Sequence, residues 1–115
     1  GPYSQAIVAS SGRLVFLSGQ VGVDPQTGKV VRGGITEQTQ QVMNNLRAVV
    51  QAAGGRLSDI VKTTIFLRNF EDFAAVNAIY ASYLRPPFPA RETVEVSRLP
   101  VEALIEISAI AIIDE

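Results

Sequence analysis

Arg91 stands directly after Phe88–Pro89–Ala90, where proline fixes the backbone and an extended segment begins. A guanidinium held firmly from that side suits bidentate capture of a planar carboxylate. The same arginine is equally compatible with a surface position, or with an ion pair to Glu92 or Glu106. Glu106 is more unusual, because it interrupts the apolar run 103–110. A charge there costs on the order of several kcal/mol unless it is paired or faces a wet cleft. It therefore implies either an ion pair or a task, and a partly desolvated carboxylate suits general acid or base work on a bound water. Asn77 shares a helix face with Phe73, Tyr80 and Leu84, and its ordinary reading is an amide satisfied in the core or at an interface. Tyr3 and Ser18 are hydrogen-bonding groups beside Gly-containing turns, unspecific taken singly. Lys62, in a strand-like segment, reads as a solvated or paired charge rather than a Schiff-base amine.

Composition narrows the chemistry further. The sequence has 115 residues, 47% of them hydrophobic, which suits one domain spanning 1–115 with a core of its own. It holds no Cys and no His, which rules out disulfides, thiolate nucleophiles, the usual zinc sites and an imidazole base. Proton transfer falls to carboxylates, Tyr, Lys, hydroxyls and water, and no metal site is expected. Ten basic residues against eleven acidic ones, mixed along the chain, leave no broad positive field, so no nucleic-acid partner is expected. No apolar run approaches the roughly 20 residues that cross a bilayer, so a soluble protein without a membrane partner is expected. Gly19–Gln20–Val21–Gly22 lacks the further Gly and the Lys of a nucleotide loop. The sequence opens at Gly1 without Met, so residues ahead of it are expected to be missing, and a targeting peptide there would be out of sight.

The elements that must position these residues follow from periodicity. Ala6–Ala9 and Leu14–Leu17, parted by Ser10–Ser11–Gly12–Arg13, predict a β-hairpin. A ribbon follows, Val21–Val23 and Lys29–Val31 around a Pro- and Gly-containing turn. With Thr36 as N-cap and Glu37 in the first turn, a helix runs to Gly54–Gly55. Ile60–Leu67 predicts a central strand. A second helix starts near Asn69, with Asp72 resembling the partner of a capping box, and stops at Arg85–Pro89. Thr93–Val96 and Leu104–Ile112 predict two closing strands. The order ββ(β)αβαββ implies an α+β sandwich, a mixed sheet with both helices on one face. The other face is left uncovered and strongly apolar, and self-association is the economical cover, so a homo-oligomer is expected.

Several blocks together resemble the RidA/YjgF family of reactive intermediate deaminases. They are Gly1–Pro2–Tyr3–Ser4–Gln5–Ala6, Leu17–Ser18–Gly19–Gln20, Val61–Lys62–Thr63–Thr64, Asp72–Phe73 with Asn77, Pro89–Ala90–Arg91, Val94–Glu95–Val96 with Leu99–Pro100, and Ile105–Glu106–Ile107. The resemblance spans essentially the whole chain in order. It implies a chorismate-mutase-like two-layer sandwich, a homotrimer with clefts between adjacent subunits, and a cytoplasmic enzyme that uses no cofactor. The implied activity is that of a 2-iminobutanoate/2-iminopropanoate deaminase, hydrolysing enamines and imines such as 2-aminoacrylate to 2-keto acids and ammonia. By position, Arg91 would hold the substrate carboxylate and Glu106 would orient or activate the water. Tyr3, Ser18, Gly19, Asn77 and Thr93 would line the pocket. Glu92 departs from the small hydroxyl residue common after the family arginine, and strand alternation should point it away from Arg91 and Thr93. The alternative is a non-catalytic or regulatory protein of the same fold that binds a keto acid or amino acid. RNA cleavage, ascribed to some members, suits a near-neutral chain without His badly.

Overall fold

The structure is a computed structural model and describes residues 1–114. Its strands are β1 (Arg13–Val21), β2 (Val23–Asp24), β3 (Lys29–Val30), β4 (Ile60–Leu67), β5 (Ala90–Glu95) and β6 (Ile105–Ile113). Two helices accompany them, α1 (Ile35–Ala52) and α2 (Phe73–Tyr83). The main sheet has the order β1-β6-β4-β5, antiparallel except for the parallel β4–β5 pair, while β2 and β3 form a separate ribbon. Parallel neighbours need a crossover, and α2 supplies it.

Alternation along β6 buries Ile105, Ile107, Ala109, Ala111 and Ile113 against the helices. From α1, Val42, Leu46 and Val50, spaced one helical turn apart, close the same core with no exposed surface. Two buried amides fasten the layers. Asn45 Nδ2 donates to the carbonyls of Val21 and Val23 at 3.2 and 2.9 Å, and Gln38 Oε1 accepts from the Leu104 N–H at 2.9 Å. The open face of the sheet carries Leu14 and Phe16, 56% and 70% exposed, opposite Ile112 and Ile110.

The Ala6–Ala9 strand does not form: this stretch is coil, and Val8 is 97% exposed. Its geometry forbids a hairpin with β1. Ser4 bridges to Ala90 beside β5, whereas β1 is the opposite edge strand, so residues 5–12 must cross the width of the sheet. Nor does β1 break at Gly19. It runs on to Val21 through a bulge between Leu17 and Gln20.

The start of α1 lies before Thr36. Gly34 is the N-cap, and its N–H donates to Glu37 Oε1 at 2.9 Å. The Gly34 N–H and then Glu37's own N–H hold that carboxyl below its ordinary range, so a returning carboxylate, not the Thr36 hydroxyl, satisfies the first turn. Asn69 does cap, but it caps a short 3-10 turn, Phe70–Asp72, by accepting from the Glu71 N–H at 2.9 Å. Asp72 returns no side-chain cap bond, and α2 begins only at Phe73. β5 begins at Ala90 rather than Thr93, which sets Arg91 inside the strand, in register with Thr63 of β4.

The two layers also meet in one polar contact, Thr63 Oγ1 to Tyr80 Oη at 2.7 Å, both residues buried. Burial raises the Tyr80 phenol above its usual range, against the Thr63 bond and the Arg91 charge. Replacing Tyr80 with Phe strands the Thr63 hydroxyl, and urea denaturation at fixed protein concentration should show a loss of about 1–3 kcal/mol. Adding Thr63→Val to Tyr80→Phe should recover much of that loss. A strictly additive double variant would show that the pair is not coupled.

Candidate active site

Arg91 reaches the helix face of the sheet and lies under α2. Its Nη1 donates to Asn77 Oδ1 at 2.7 Å. The guanidinium carbon sits 5.3 Å from the Tyr80 ring centroid, 5.4 Å from Tyr3 and 5.7 Å from Phe73. Phe73, Asn77 and Tyr80 occur at i, i+4 and i+7, so a single stripe of α2 supplies these contacts. Tyr3 arrives from the far end of the chain. The Ser4 N–H donates to the Pro89 carbonyl at 3.1 Å and the Ser4 hydroxyl to that of Phe88, which ties the first residues to the approach of β5.

This cation has no acidic partner among the described residues. Among the described residues the ion pairs are Lys62–Glu92 and Arg98–Glu102. Glu92 points to the opposite face, where it accepts from Thr64 Oγ1 at 2.6 Å and pairs with Lys62 at 3.2 Å. The Thr64 bond first and Lys62 after it hold its carboxyl below the usual range. Burial lowers the Arg91 pKa, opposed by the phenols of Tyr80 and Tyr3. A guanidinium stays charged at neutral pH, so that shift reports a partly desolvated cation. Aromatic faces and one amide oxygen stabilise it without neutralising it, leaving further N–H groups for a planar carboxylate.

Thr93 shares this face, two residues along β5. Among the described residues its Oγ1 is the buried side-chain polar atom without a hydrogen-bond partner. An unsatisfied hydroxyl beside an unpaired cation is an arrangement that a polar ligand would complete.

Ser18, Gly19 and Glu106 form a second group. The β1 bulge falls at Ser18 and Gly19, and the Glu106 side chain lies against Gly19: a Cβ there would meet its Oε2 at 2.3 Å. Any larger residue at position 19 would displace this carboxylate. The two groups do not meet within one chain. Ile105 and Ile107 face the helices, so alternation sends Glu106 to the open face. Glu106 is opposite Phe66 and Arg91 opposite Thr63, two strands across and three residues along, which puts their Cα atoms roughly 14 Å apart. An intrachain Arg91–Glu106 pair is thus excluded.

A cavity of about 460 Å³ lies between α1 and the β1–β2 segment. It is lined by residues such as Val21, Val23, Asn45 and Val49, holds no titratable group, and does not include Arg91. Among the described residues, no cluster of acidic side chains that could hold a metal ion is present, and no helix is long and apolar enough to cross a membrane. The sequence pattern had placed Phe73 and Tyr80 on the Asn77 face without assigning them to the site. The missing signal was the parallel β4–β5 register, which brings Arg91 under that face.

Known proteins match this chain along almost all of its length. The profile of the family described as Endoribonuclease L-PSP matches residues 1–113. A RutC family protein of Pyrococcus horikoshii is 51% identical over 111 residues, 96% of this chain and 86% of its own length. A protein of Dermatophagoides farinae named 2-iminobutanoate/2-iminopropanoate deaminase is 46% identical over 114 residues, 99% of this chain and 88% of its own. Among solved structures, E. coli TdcF with bound serine superposes with a TM-score of 0.82 at 38% identity, covering 97% of this chain and 88% of that one. The chain belongs to the Endoribonuclease L-PSP family, the RidA/YjgF proteins.

Proposed function

We propose that residues 1–115 act as one domain of a cofactor-independent deaminase that hydrolyses 2-imino acids and their enamine tautomers in the cytoplasm. Water adds across the C=N bond, the resulting carbinolamine breaks its C–N bond, and ammonia leaves a 2-keto acid. The observation that carries this reading is the desolvated Arg91 guanidinium, oriented by Asn77 and free of any acidic partner among the described residues. It suits the carboxylate common to such substrates. The deaminase name of the Dermatophagoides relative and the serine bound by TdcF, which also bears a carboxylate, support the same choice. In this reading the Thr93 hydroxyl and Tyr3 line the pocket.

Glu106, with Ser18 and Gly19, takes part from a neighbouring copy of the chain, in a homotrimer whose clefts lie between subunits. Two features favour that assembly: the exposed Leu14 and Phe16 on the uncovered face of the sheet, and the separation of Arg91 from Glu106 within one chain. Glu106 would orient the attacking water and carry its proton. An imine is already electrophilic once protonated, so positioning and a water-polarising carboxylate suffice without His or a metal. Ten basic and eleven acidic residues mixed along the chain give no broad positive field to favour RNA as the substrate.

A coupled assay tests the reading: 2-aminoacrylate is generated enzymatically, the protein is added, and loss of the imine absorbance is followed. Acceleration is expected, and an unchanged decay would sink the deaminase assignment. Arg91→Ala should lower kcat/KM by about 100-fold with the oligomer intact. Glu106→Gln should lower kcat by a similar factor with less change in KM. Refolding those two inactive variants together should restore activity at about a quarter of the sites, because one interface type in a random mixture pairs an intact Arg91 with an intact Glu106. A mixture as inactive as its parents would show that the site is not shared.

A further inference from the structure

The rings beside Arg91 do not end at the guanidinium. Phe73, 5.7 Å from it, stacks on Phe70 with centroids 4.9 Å and planes 15° apart. Phe70 and Tyr3 each remain 43% exposed. A lone exposed aromatic needs no explanation, but here exposed apolar rings continue outward from a carboxylate-binding cation.

For a substrate whose carboxylate is held at Arg91, one course open to its side chain runs along these rings. The first side-chain carbon lies two bonds of about 1.5 Å from the carboxylate carbon, and a benzyl ring reaches roughly 6 Å from it. With the roughly 4 Å that separates a carboxylate carbon from the guanidinium carbon holding it added, a benzyl ring is long enough to pass Phe73, 5.7 Å from the guanidinium, and approach Phe70, stacked on it at 4.9 Å. A methyl or ethyl group stops short of Phe70. A benzyl or isobutyl group directed this way would lie along the stacked pair, where offset or edge contacts would add to the area buried.

We propose that Phe70, Phe73 and Tyr3 form a side-chain subsite that directs the protein toward 2-imino acids with aromatic or larger branched apolar side chains. This rests on the deaminase reading for turnover, while the subsite itself is also open to a binding test. Phe70 is the residue to vary. It is the outermost ring of the stack and half-exposed, and its N–H is held independently of the side chain by Glu95 Oε1 at 2.8 Å.

Imines made from phenylalanine and from alanine by an amino-acid oxidase serve as substrates, and the products 3-phenyl-2-oxopropanoate and 2-oxopropanoate as ligands in calorimetry. The wild-type protein should favour the phenyl compound in both measurements. Phe70→Ala should reduce that preference about tenfold and Phe70→Leu by less, while Phe70→Tyr retains it. Arg91→Ala should weaken both compounds together. A wild-type preference for the methyl compound, or one unmoved in Phe70→Ala and Phe70→Leu, overturns the subsite and leaves the deaminase reading intact. If neither imine is turned over, the deaminase reading falls, and the keto-acid affinities alone decide the subsite.

Discussion

The unpaired guanidinium of Arg91 depends on the parallel pairing of β4 with β5. That register puts Arg91 beside Thr63, and Thr63 holds Tyr80 through a buried hydroxyl pair. Tyr80 in turn fixes the turn of α2 that also presents Asn77 and Phe73. A cation removed from water in this way would ordinarily recruit a carboxylate from its own chain. Here the nearest acidic neighbour in sequence, Glu92, is drawn to the opposite face by Thr64 and Lys62. Rings and an amide keep the charge in place without cancelling it.

The second constraint is the two-residue alternation of β6. It buries Ile105 and Ile107 in the core and sends Glu106 to the uncovered face. The bulge in β1 then opens room at Gly19 for that carboxylate. One sheet thus carries a cation under its helices and a carboxylate on its bare side. The site proposed between copies of the chain would answer both that separation and the exposure of Leu14 and Phe16.

Much of this was legible in the linear order of residues. Val42, Leu46 and Val50 recur at helical spacing, and Glu106 stands out in an apolar run. Proline before Arg91 marks the start of an extended segment. The family blocks supplied the candidate site residues. The misjudged pieces were those whose fate depends on distant partners. Ala6–Ala9 has the composition of a strand yet forms none, because Ser4 is tied beside β5 and the chain must cross to the other edge. Thr36 looks like an N-cap, but the Glu37 carboxylate returning to Gly34 satisfies the first turn.

Residue types alone establish which groups exist for chemistry, a guanidinium, a misplaced carboxylate and hydroxyls in a chain without His or Cys. Their order also sets the helix and strand periods, since these follow from local spacing of apolar side chains. Which of these groups meet depends on packing between distant segments. The register of β4 with β5 joins residues 28 apart in the chain, as Thr63 with Arg91, and helix packing adds Tyr80 and Phe73. The same packing separated Arg91 from Glu106, because alternation within a sheet sends neighbouring residues to opposite faces while pairing sets how far apart the strands lie.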